Sequence, residues 1–352
     1  LDQVKSLVNE NDIEFFLCSF VEMSGAPKAK LVPATHLDDM ATEGAGFAGF
    51  AAGEMGQGPH DPDMASIPDF DSLTIVPWRK NVAWVAGNVQ VNDQPWPYCP
   101  RTILQRQLEN SKQRGYIFNV GVEAEFMLLK DDENGRYAPW DSLDTLGKPC
   151  YDLQSLHRNL DVMMTLIKYM QELGWSPYAN DHEDANCQFE INWVYSEALT
   201  TADRHTFYKW MVKTIAEEQG LLATFMPKPF TNLTGNGAHL HMSLWDEENQ
   251  ENLFLDGFMS QRVTKTRLEV HMVQLSLASA KLTGIPFIHL ASVMPDQGGF
   301  QAPAAAAERG FALPGSGRSE LQGRQRHCVG RLLPAFFGRQ GNQSLARQIP
   351  IV

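Results

Sequence analysis

Two histidines and one hydroxyl group alternate with apolar residues in the stretch Gly235–Trp245 (GNGAHLHMSLW). Such alternation predicts a β-strand, because successive side chains of a strand point to opposite faces. The polar face carries His239, His241 and Ser243. The apolar face, which we expect to pack into a core, carries Leu240, Met242 and Leu244. The polar face can line a site, and the glycines before the strand would let the backbone approach a ligand closely.

A pair of carboxylates, Glu123 and Glu125, lies in the apolar segment Val122–Leu129. The period of two in a strand predicts that both carboxylates point to one face. Two like charges in apolar surroundings are costly unless a positive charge neutralises them, so the pair indicates a cation site. The alternative is an ordinary solvated strand face.

Two more glutamates occur in the segment HEDANCQFE, residues 182–190. Glu190 lies on a predicted strand, and Glu183 lies in the loop that leads into that strand. The candidate metal ligands are therefore four glutamates and one histidine: Glu123, Glu125, Glu183, Glu190 and His239.

An oxygen-rich ligand set with a single imidazole suits Mg²⁺ or Mn²⁺ better than a metal that prefers thiolates. Two such ions can hold phosphate oxygens and offset the charge that develops during phosphoryl transfer. A mononuclear iron or zinc site that uses His239 and His241 together is an alternative, which the four oxygen ligands and the scattered cysteines disfavour.

Two domains should position these residues. Residues 1–97 predict a small α+β domain that ends at the proline-rich junction QPWPYCP, residues 94–100. It should contain a helix in 1–12 and strands at Ile13–Met23, Lys28–Val32, Ser72–Pro77 and Val82–Val91. Residues 98–290 should form the second domain, which holds the candidate site.

The second domain shows helical and strand patterns in turn. Helices are predicted at Pro100–Arg114, Ser155–Leu173 and Thr201–Gly220. Strands are predicted at Tyr116–Lys130, Trp175–Asn180 and Gln188–Trp193. The apolar residues of the second helix should pack into a core: Met163, Met164, Leu166 and Met170.

A glycine-rich segment in the first domain matches G-x-G-x-x-G at Gly44, Gly46 and Gly49. A dinucleotide site needs a strand directly before this motif and a helix directly after it. Here a helical, acidic segment precedes the motif and more glycine follows, so the sequence disfavours a dinucleotide site.

Composition restricts the class of protein. The chain has 352 residues, 43% hydrophobic and 20% charged, which fits two globular domains. A net charge of −13 disfavours nucleic acid and anionic membranes as partners. We find neither an apolar run of about 20 residues nor a signal-peptide pattern in residues 1–12. Five scattered cysteines argue against a disulfide framework and predict a cytoplasmic protein.

The composition changes in residues 291–352. This tail has seven arginines, seven glutamines and three acidic residues, but no lysine. It is rich in Gly, Ala and Pro with little periodicity, which is typical of a loop-rich or poorly ordered segment.

The motifs VEAEF, HEDANCQFE and GNGAHLHMSLW occur in this order, after a segment CPRTILQRQLE at the domain junction. Together they resemble the glutamine synthetase superfamily over residues 12–256. The resemblance is strongest to the branch of γ-glutamylmethylamide synthetase and type III glutamine synthetase-like enzymes. It implies an N-terminal β-grasp-like domain and a catalytic domain with a curved antiparallel sheet flanked by helices.

The resemblance also implies an activity. Family members phosphorylate the γ-carboxylate of glutamate with ATP, and ammonia or a small amine such as methylamine then displaces phosphate. They are homo-oligomers of stacked rings. By motif position, Glu125, Glu183 and Glu190 would bind one metal ion, and Glu123 and His239 the second. His241 and Ser243 would face ATP, and Gly235 would approach glutamate.

Two departures from the family pattern concern single residues. Where ammonia-using members carry phenylalanine-aspartate-glycine, this chain has Phe47, Ala48 and Gly49. The missing carboxylate favours a neutral or bulkier amine over ammonium. Cys187 replaces a glycine of the family, and if that position needs positive φ, cysteine would strain the turn between Glu183 and Glu190.

The third departure is larger. The family continues with an asparagine-serine-tyrosine-lysine-arginine segment, substrate-binding arginines, a flap glutamate and a last metal-binding glutamate, and we find none of these after Gly284. Glu308 and Glu320 lie in contexts that do not match. A divergent tail of this composition, with an early end, is expected after a change of reading frame near 257–290. The alternative function is therefore a catalytically impaired or inactive protein that binds nucleotide or metal, or only assembles.

Overall fold

The computed structural model describes residues 1–53, 55–131, 135–248 and 250–253, and the backbone of 289–293. The chain divides into two compact units, Leu1–Phe300 and Gln301–Val352, and every described residue belongs to the first. The described part is α+β, as expected.

The expected tail and the reading-frame hypothesis fall almost wholly outside the described residues and stay predictions. One short strand, His289–Val293, crosses the expected boundary between residues 290 and 291. The residues after Gly284, in which the later family motifs are not found, also lie outside the described part except for this strand.

A seven-stranded sheet forms the N-terminal part. Its elements are α1 (Asp2–Glu10), β1 (Phe15–Val21), β2 (Pro27–Pro33), α2 (Leu37–Glu43), β3 (Ala45–Phe47), β4 (Met64–Pro68), β5 (Thr74–Ile75), β6 (Val82–Val91) and β7 (Gln94–Pro95). The strand order is β2-β1-β6-β4-β3, and β5 and β7 also pair with β6. β1 and β6 are parallel, and the other pairs are antiparallel. The β-grasp-like arrangement of this part stays a prediction.

The second part contains four helices and ten strands among the described residues. They are α3 (Pro100–Lys112), β8 (Tyr116–Ala124), β9 (Phe126–Asp131), β10 (Tyr137–Pro139), α4 (Leu153–Arg158), α5 (Leu160–Glu172), β11 (Pro177–His182), β12 (Gln188–Trp193), β13 (Ser196–Glu197), α6 (Ala198–Glu218), β14 (Leu222–Thr224), β15 (Ala238–Asp246), β16 (Glu251–Asn252) and β17 (His289–Val293). One sheet has the order β10-β9-β12-β11 with β14 on β9, and the other has the order β13-β8-β15-β16 with β17 on β15. All these pairs are antiparallel except β15 with β17.

The strand expected at Tyr116–Lys130 is two strands, because the chain leaves one sheet at Glu125 and enters the other. At that point the backbone N–H of Glu125 donates to the carbonyl of Gly237, at 3.1 Å. β8 pairs with β15, whereas β9 pairs with β12. The expected curved antiparallel sheet therefore consists of two sheets joined at a residue of the candidate site.

The helix expected at Ser155–Leu173 is also interrupted, at Asn159. The Asn159 side chain donates to the carbonyl of Ser155 (2.8 Å) and accepts from the indole of Trp140 (2.7 Å). Such local side-chain bonds compete with the regular helical pattern.

The core of the second part lies between α5, α6 and the apolar faces of β8, β12 and β15. The prediction for Leu240, Met242 and Leu244 is confirmed, since all three are buried. On α5 the expectation is confirmed for Met163, Leu166 and Met170 but wrong for Met164, which is 43% exposed. The buried residues follow the i, i+3, i+7 spacing of one helix face, and Met164 lies off that face.

A buried arginine ties the two parts together. Arg101 of α3 makes a two-pronged bond to Asp203 of α6, at 3.0 and 2.8 Å. Nη2, which donates to Asp203, also donates to Asp69, and Nη1 donates to Asn88 of β6, both at 2.7 Å. Because every prong of the guanidinium is used, the arginine fixes helices of the second part against the N-terminal sheet.

The glycine-rich segment is not a dinucleotide site. Helix α2 precedes it, and a short strand and a 3₁₀ turn, Gly49–Ala51, follow. The strand-glycine-helix order that such a site needs is therefore not present. Among the described residues, none of the helices combines the length and apolar character that crossing a membrane requires.

Candidate active site

The pairing register of the strands brings polar residues together at one place. In the pair β8–β15, Glu123 lies opposite His239. In the pair β11–β12, Asp181 lies opposite Glu190. Side chains directly opposite in antiparallel strands have Cβ atoms about 4.5–5.5 Å apart, so each pair is in contact range.

These pairs form two adjoining ligand sets. Glu123, Glu190 and His239 each offer one ligand atom, and these atoms lie within 4.8 Å of one another. Asp181, Glu183 and Glu190 form a second set by the same measure. Glu190 is common to both. Carboxylates with one imidazole are the donors that hard divalent cations accept, so the residues fit a two-cation site.

The electrostatics of the site point the same way. Burial, and then the charges of Glu125 and Asp181, raise the pKa of Glu183 to about 8. Burial raises the pKa of Glu190 to about 8, and the charges of Glu123 and Glu183 add to this while a hydrogen bond from Asn192 opposes it. Ionising all these buried, neighbouring carboxyl groups is therefore unfavourable, and a bound divalent cation would lower the free-energy cost of their negative charge.

Glu125 lies beside the two ligand sets. It belongs to neither ligand set; its carboxylate accepts from Gln188 Nε2 (2.8 Å) and from the N–H of Gly237 (2.9 Å). Burial raises the pKa of Glu125, and the bond from Gly237 opposes the rise. Its charge still reaches Glu183, whose pKa it helps to raise. The grouping of Glu125 with Glu183 and Glu190 around one metal ion stays a prediction.

Sequence reasoning missed two residues of the site. Asp181 lies in the second set, and Gln188 is a fully buried amide that joins three segments. Gln188 Nε2 lies 2.8 Å from Glu125, 3.0 Å from the carbonyl of Gly235 and 2.9 Å from Asn236 Oδ1. These partners lie between 47 and 63 residues away in the sequence, so no local pattern links them to Gln188.

Gly235 has a steric reason to be glycine. A Cβ there would lie 2.2 Å from the carbonyl oxygen of Pro227, closer than real Cβ contacts. Two backbone segments therefore meet at this position, and the carbonyl of Gly235 is in turn held by Gln188. The loop before β15 is fixed at the edge of the site.

The polar face of β15 becomes more buried along the strand. The His239 side chain is 43% exposed and its Nδ1 lies 3.9 Å from Glu123 Oε2, whereas His241 Nε2 lies 2.8 Å from the same oxygen. Ser243 is fully buried and accepts from the indole N–H of Trp245, at 3.0 Å. Of the two histidines, His239 belongs to a ligand set and His241 holds Glu123, which does not support the alternative in which both bind one iron or zinc ion.

The loop that carries Glu183 has an unusual backbone. Cys187 has φ of +57°, so the expectation that this position needs positive φ is confirmed. Its N–H donates to Asp144 at 2.6 Å, and Asp144 also bonds Nε2 of the buried His182 at 2.7 Å. Burial acts to raise the pKa of Asp144, but these bonds outweigh it and the pKa is lowered. A buried anion thus stabilises the strained turn.

Ala48 lies between β3 and the 3₁₀ turn and is exposed. Its influence on the choice of amine stays a prediction.

The sequence is similar to proteins of known family. The family profile described as glutamine synthetase, catalytic domain, matches residues 97–280. The chain is 46% identical over 255 residues to a glutamine synthetase of Rhizobium leguminosarum bv. phaseoli, covering 72% of this chain and 58% of the relative. It is 41% identical over 270 residues to a glutamate–methylamine ligase of Methyloversatilis universalis, covering 76% and 60%.

Two solved structures are similar to this chain in fold. The apo structure of a protein called GmaS is 49% identical, with a TM-score of 0.70, and the match covers 73% of this chain and 60% of that one. A glutamine synthase homologue that is 20% identical, with a TM-score of 0.60 over 70% and 58% of the two chains, shares the fold. The chain matches less than two thirds of the length of these curated relatives and solved structures. By the profile match and the identity to its relatives, the chain belongs to the glutamine synthetase family.

Proposed function

We propose that the protein is an ATP-dependent ligase that joins the γ-carboxylate of glutamate to ammonia or a small amine such as methylamine. The observation that carries the proposal is the pair of adjoining acidic ligand sets that share Glu190, in a chain of this family. The relatives include a glutamine synthetase and a glutamate–methylamine ligase, which supports both amines as candidates.

The residues present fit two divalent cations, Mg²⁺ or Mn²⁺. Glu123, Glu190 and His239 would hold one ion. Glu183 and Glu190, with Glu125 as the family pattern implies, would hold the other. When bound, such ions shield the charge of ATP and stabilise the charge that develops on the transferred phosphoryl group. ATP is a co-substrate, and His241 and Ser243 are the residues proposed to face it.

The reaction has two balanced steps. A γ-carboxylate oxygen of glutamate attacks the γ-phosphorus of ATP, and ADP leaves. The amine nitrogen then attacks the acyl carbon of γ-glutamyl phosphate and loses a proton, and phosphate leaves. Phosphorylation is needed because a carboxylate oxygen is a poor leaving group, whereas phosphate is a good one.

The chain's own residues provide the positioning. His241 holds Glu123 on one side of the site, and Gln188 holds both Glu125 and the carbonyl of Gly235 on the other. The loop before β15, which carries Gly235, is therefore held beside the acidic sets, where Gly235 is proposed to approach glutamate. Fixed geometry of this kind lowers the entropic cost of bringing two charged substrates together.

The test is release of ADP with glutamate, Mg²⁺ and a panel of amines, with the product identified by mass. We expect release that needs both glutamate and an amine, and that falls by about 100-fold or more in Glu190→Gln, which removes the charge common to both sets. Asp184→Asn is the matched control, because Asp184 is exposed and lies in neither set. Release that is independent of glutamate would contradict the ligase.

A second candidate is a protein that binds nucleotide or metal without turnover, or only assembles. It is favoured by one observation: the match to the family profile ends at residue 280, before the divergent segment 291–352. Nucleotide binding without ADP release would support it. Assembly into homo-oligomeric stacked rings and a cytoplasmic location also stay proposals.

A further inference from the structure

The loop between β11 and β12, residues 183–187, carries Glu183 and is tied at both ends to one buried carboxylate. Before the loop, Nε2 of His182 bonds to Oδ2 of Asp144, at 2.7 Å. At the end of the loop, the N–H of Cys187 donates to the same oxygen, at 2.6 Å. The side chains of His182 and Asp144 are both fully buried. One atom of Asp144 therefore fixes the two ends of the loop against each other.

The imidazole of His182 extends this hold to the backbone of Glu183. Its Nδ1 lies 2.8 Å from the carbonyl oxygen of Glu183. Both ring nitrogens are thus engaged, one by Asp144 and one by Glu183, and this fixes the orientation of the ring. A continuous chain of hydrogen bonds therefore runs from Asp144 through His182 to the residue that carries a candidate metal-binding carboxylate.

Asp144 itself belongs to neither of the two ligand sets. Its second oxygen, Oδ1, accepts from Asn186 Nδ2 and from Ser155 Oγ, both at 3.3 Å. Donors from the protein thus occupy both oxygens, and a carboxylate bonded in this way orients its partners and does not bind a ligand. One of the partners is Cys187, whose φ of +57° is unfavourable for a residue with a side chain and needs support from outside the turn.

We propose that Asp144 is a positioning residue: through His182 and Cys187 it determines where the loop 183–187 places the carboxylate of Glu183. Asp144 does this without contacting a cation or a substrate. The inference rests on the proposed function and concerns a residue outside its site. Residues that hold a metal ligand from behind orient it, and their loss typically lowers metal affinity about 10–100-fold.

The test compares Asp144→Ala with Asp141→Ala in the full chain. Asp141 is a matched control because it is also a buried carboxylate between β10 and α4, but its side chain bonds to Arg158 and to the N–H of Leu143. Mn²⁺ is titrated calorimetrically without substrates. We expect Asp144→Ala to lose about tenfold or more in affinity for one of two ions, and Asp141→Ala to change by about twofold at most.

The conservative variant Asp144→Asn keeps an oxygen that can accept from His182 and Cys187. It should therefore retain more Mn²⁺ affinity than Asp144→Ala. If the alanine variants do not fold, the same comparison is made between Asp144→Asn and Asp141→Asn. Hydrogen exchange read by mass spectrometry, in metal-free protein, should show a loss of protection in residues 183–188 for the variants at position 144 and none for those at position 141.

Steady-state kinetics separate positioning from a merely structural role. In the ADP assay, Asp144→Ala should raise the KM for Mn²⁺ about tenfold or more, while kcat at saturating Mn²⁺ changes by about twofold at most. A loss of folded protein would instead lower kcat and leave this KM unchanged.

The outcomes distinguish this inference from the proposed function. If the wild type binds two Mn²⁺ ions and the variants at positions 144 and 141 bind them alike, Asp144 is not a positioning residue, and the proposed function is unaffected. If the wild type binds Mn²⁺ but releases no ADP, the ligase proposal fails, and the comparison of affinities still decides the role of Asp144. If the wild type binds no Mn²⁺, both fail.

Discussion

Replacing Arg101 should cost the protein far more stability than replacing a surface lysine. Only 5% of the Arg101 side chain is exposed, and it bonds to Asp203 and Asp69, whose side chains are 11% and 23% exposed. Arg101→Met leaves Asp203 as a buried charge without its partner. Removing one partner of a buried ion pair typically costs about 3–5 kcal/mol of unfolding free energy, and we expect a loss in this range.

Lysine at position 101 should not restore the lost stability. Its ammonium is a single point charge and cannot reproduce the planar fork that reaches Asp203, Asp69 and Asn88 at once. The double variant Arg101→Met, Asp203→Leu should be less destabilised than Arg101→Met alone, because no charge is then left buried at position 203.

Urea unfolding followed by fluorescence and circular dichroism measures these differences. The control is Lys5→Met, which breaks the exposed Lys5–Asp38 pair (2.6 Å, side chains 44% and 66% exposed) and should cost less than about 1 kcal/mol. Burial raises the pKa of Asp203 and Arg101 opposes the rise, so the deficit of Arg101→Met should shrink as the pH falls. A loss in Arg101→Met no greater than that in Lys5→Met would refute the reasoning.

Two further predictions concern the site. The pKa of Glu190 in the folded protein is about 8, above its ordinary value of 4.5, so this group's contribution is fully present below about pH 4.5 and is lost as the pH rises through about 8. In metal-free buffer with a chelator, Glu190→Gln should therefore have a higher free energy of unfolding than the wild type at pH 8.5, by an amount on the order of a few kcal/mol. The two proteins should be equally stable at pH 5. A stability difference that does not change between these pH values would contradict this. Gly235→Ala should lower stability by about 1–3 kcal/mol and raise the KM for glutamate, because its Cβ would meet the carbonyl of Pro227 at 2.2 Å. Gly46→Ala, where a Cβ has open space, is the control, and equal melting temperatures of the two variants would contradict the steric argument.

Local patterns in the sequence predicted several elements well. The strand Gln188–Trp193 has the predicted bounds, and the alternation along β15 gave the buried face of Leu240, Met242 and Leu244. Period-two alternation is a property of the strand itself and needs no partner strand to be known. The motifs also gave the family, because they lie on contiguous stretches of sequence.

Other features required the tertiary structure. The stretch 116–130 looks uniformly strand-like, yet it divides at Glu125 between two sheets, and the Glu125 carboxylate accepts hydrogen bonds from Gln188 and Gly237. Which sheet a strand joins depends on partners far away in the sequence, so the local pattern predicted one strand where the structure has two.

The sequence alone determined that acidic residues and a histidine would lie on strands of a glutamine synthetase-family chain. Only the tertiary structure decided which of them meet. The register of β11 against β12 places Asp181 opposite Glu190, and the register of β8 against β15 places His239 opposite Glu123. A shift of one residue in either pairing would turn one strand's side chains to the other face. Register is set by packing across the whole sheet, which no local spacing in the chain records.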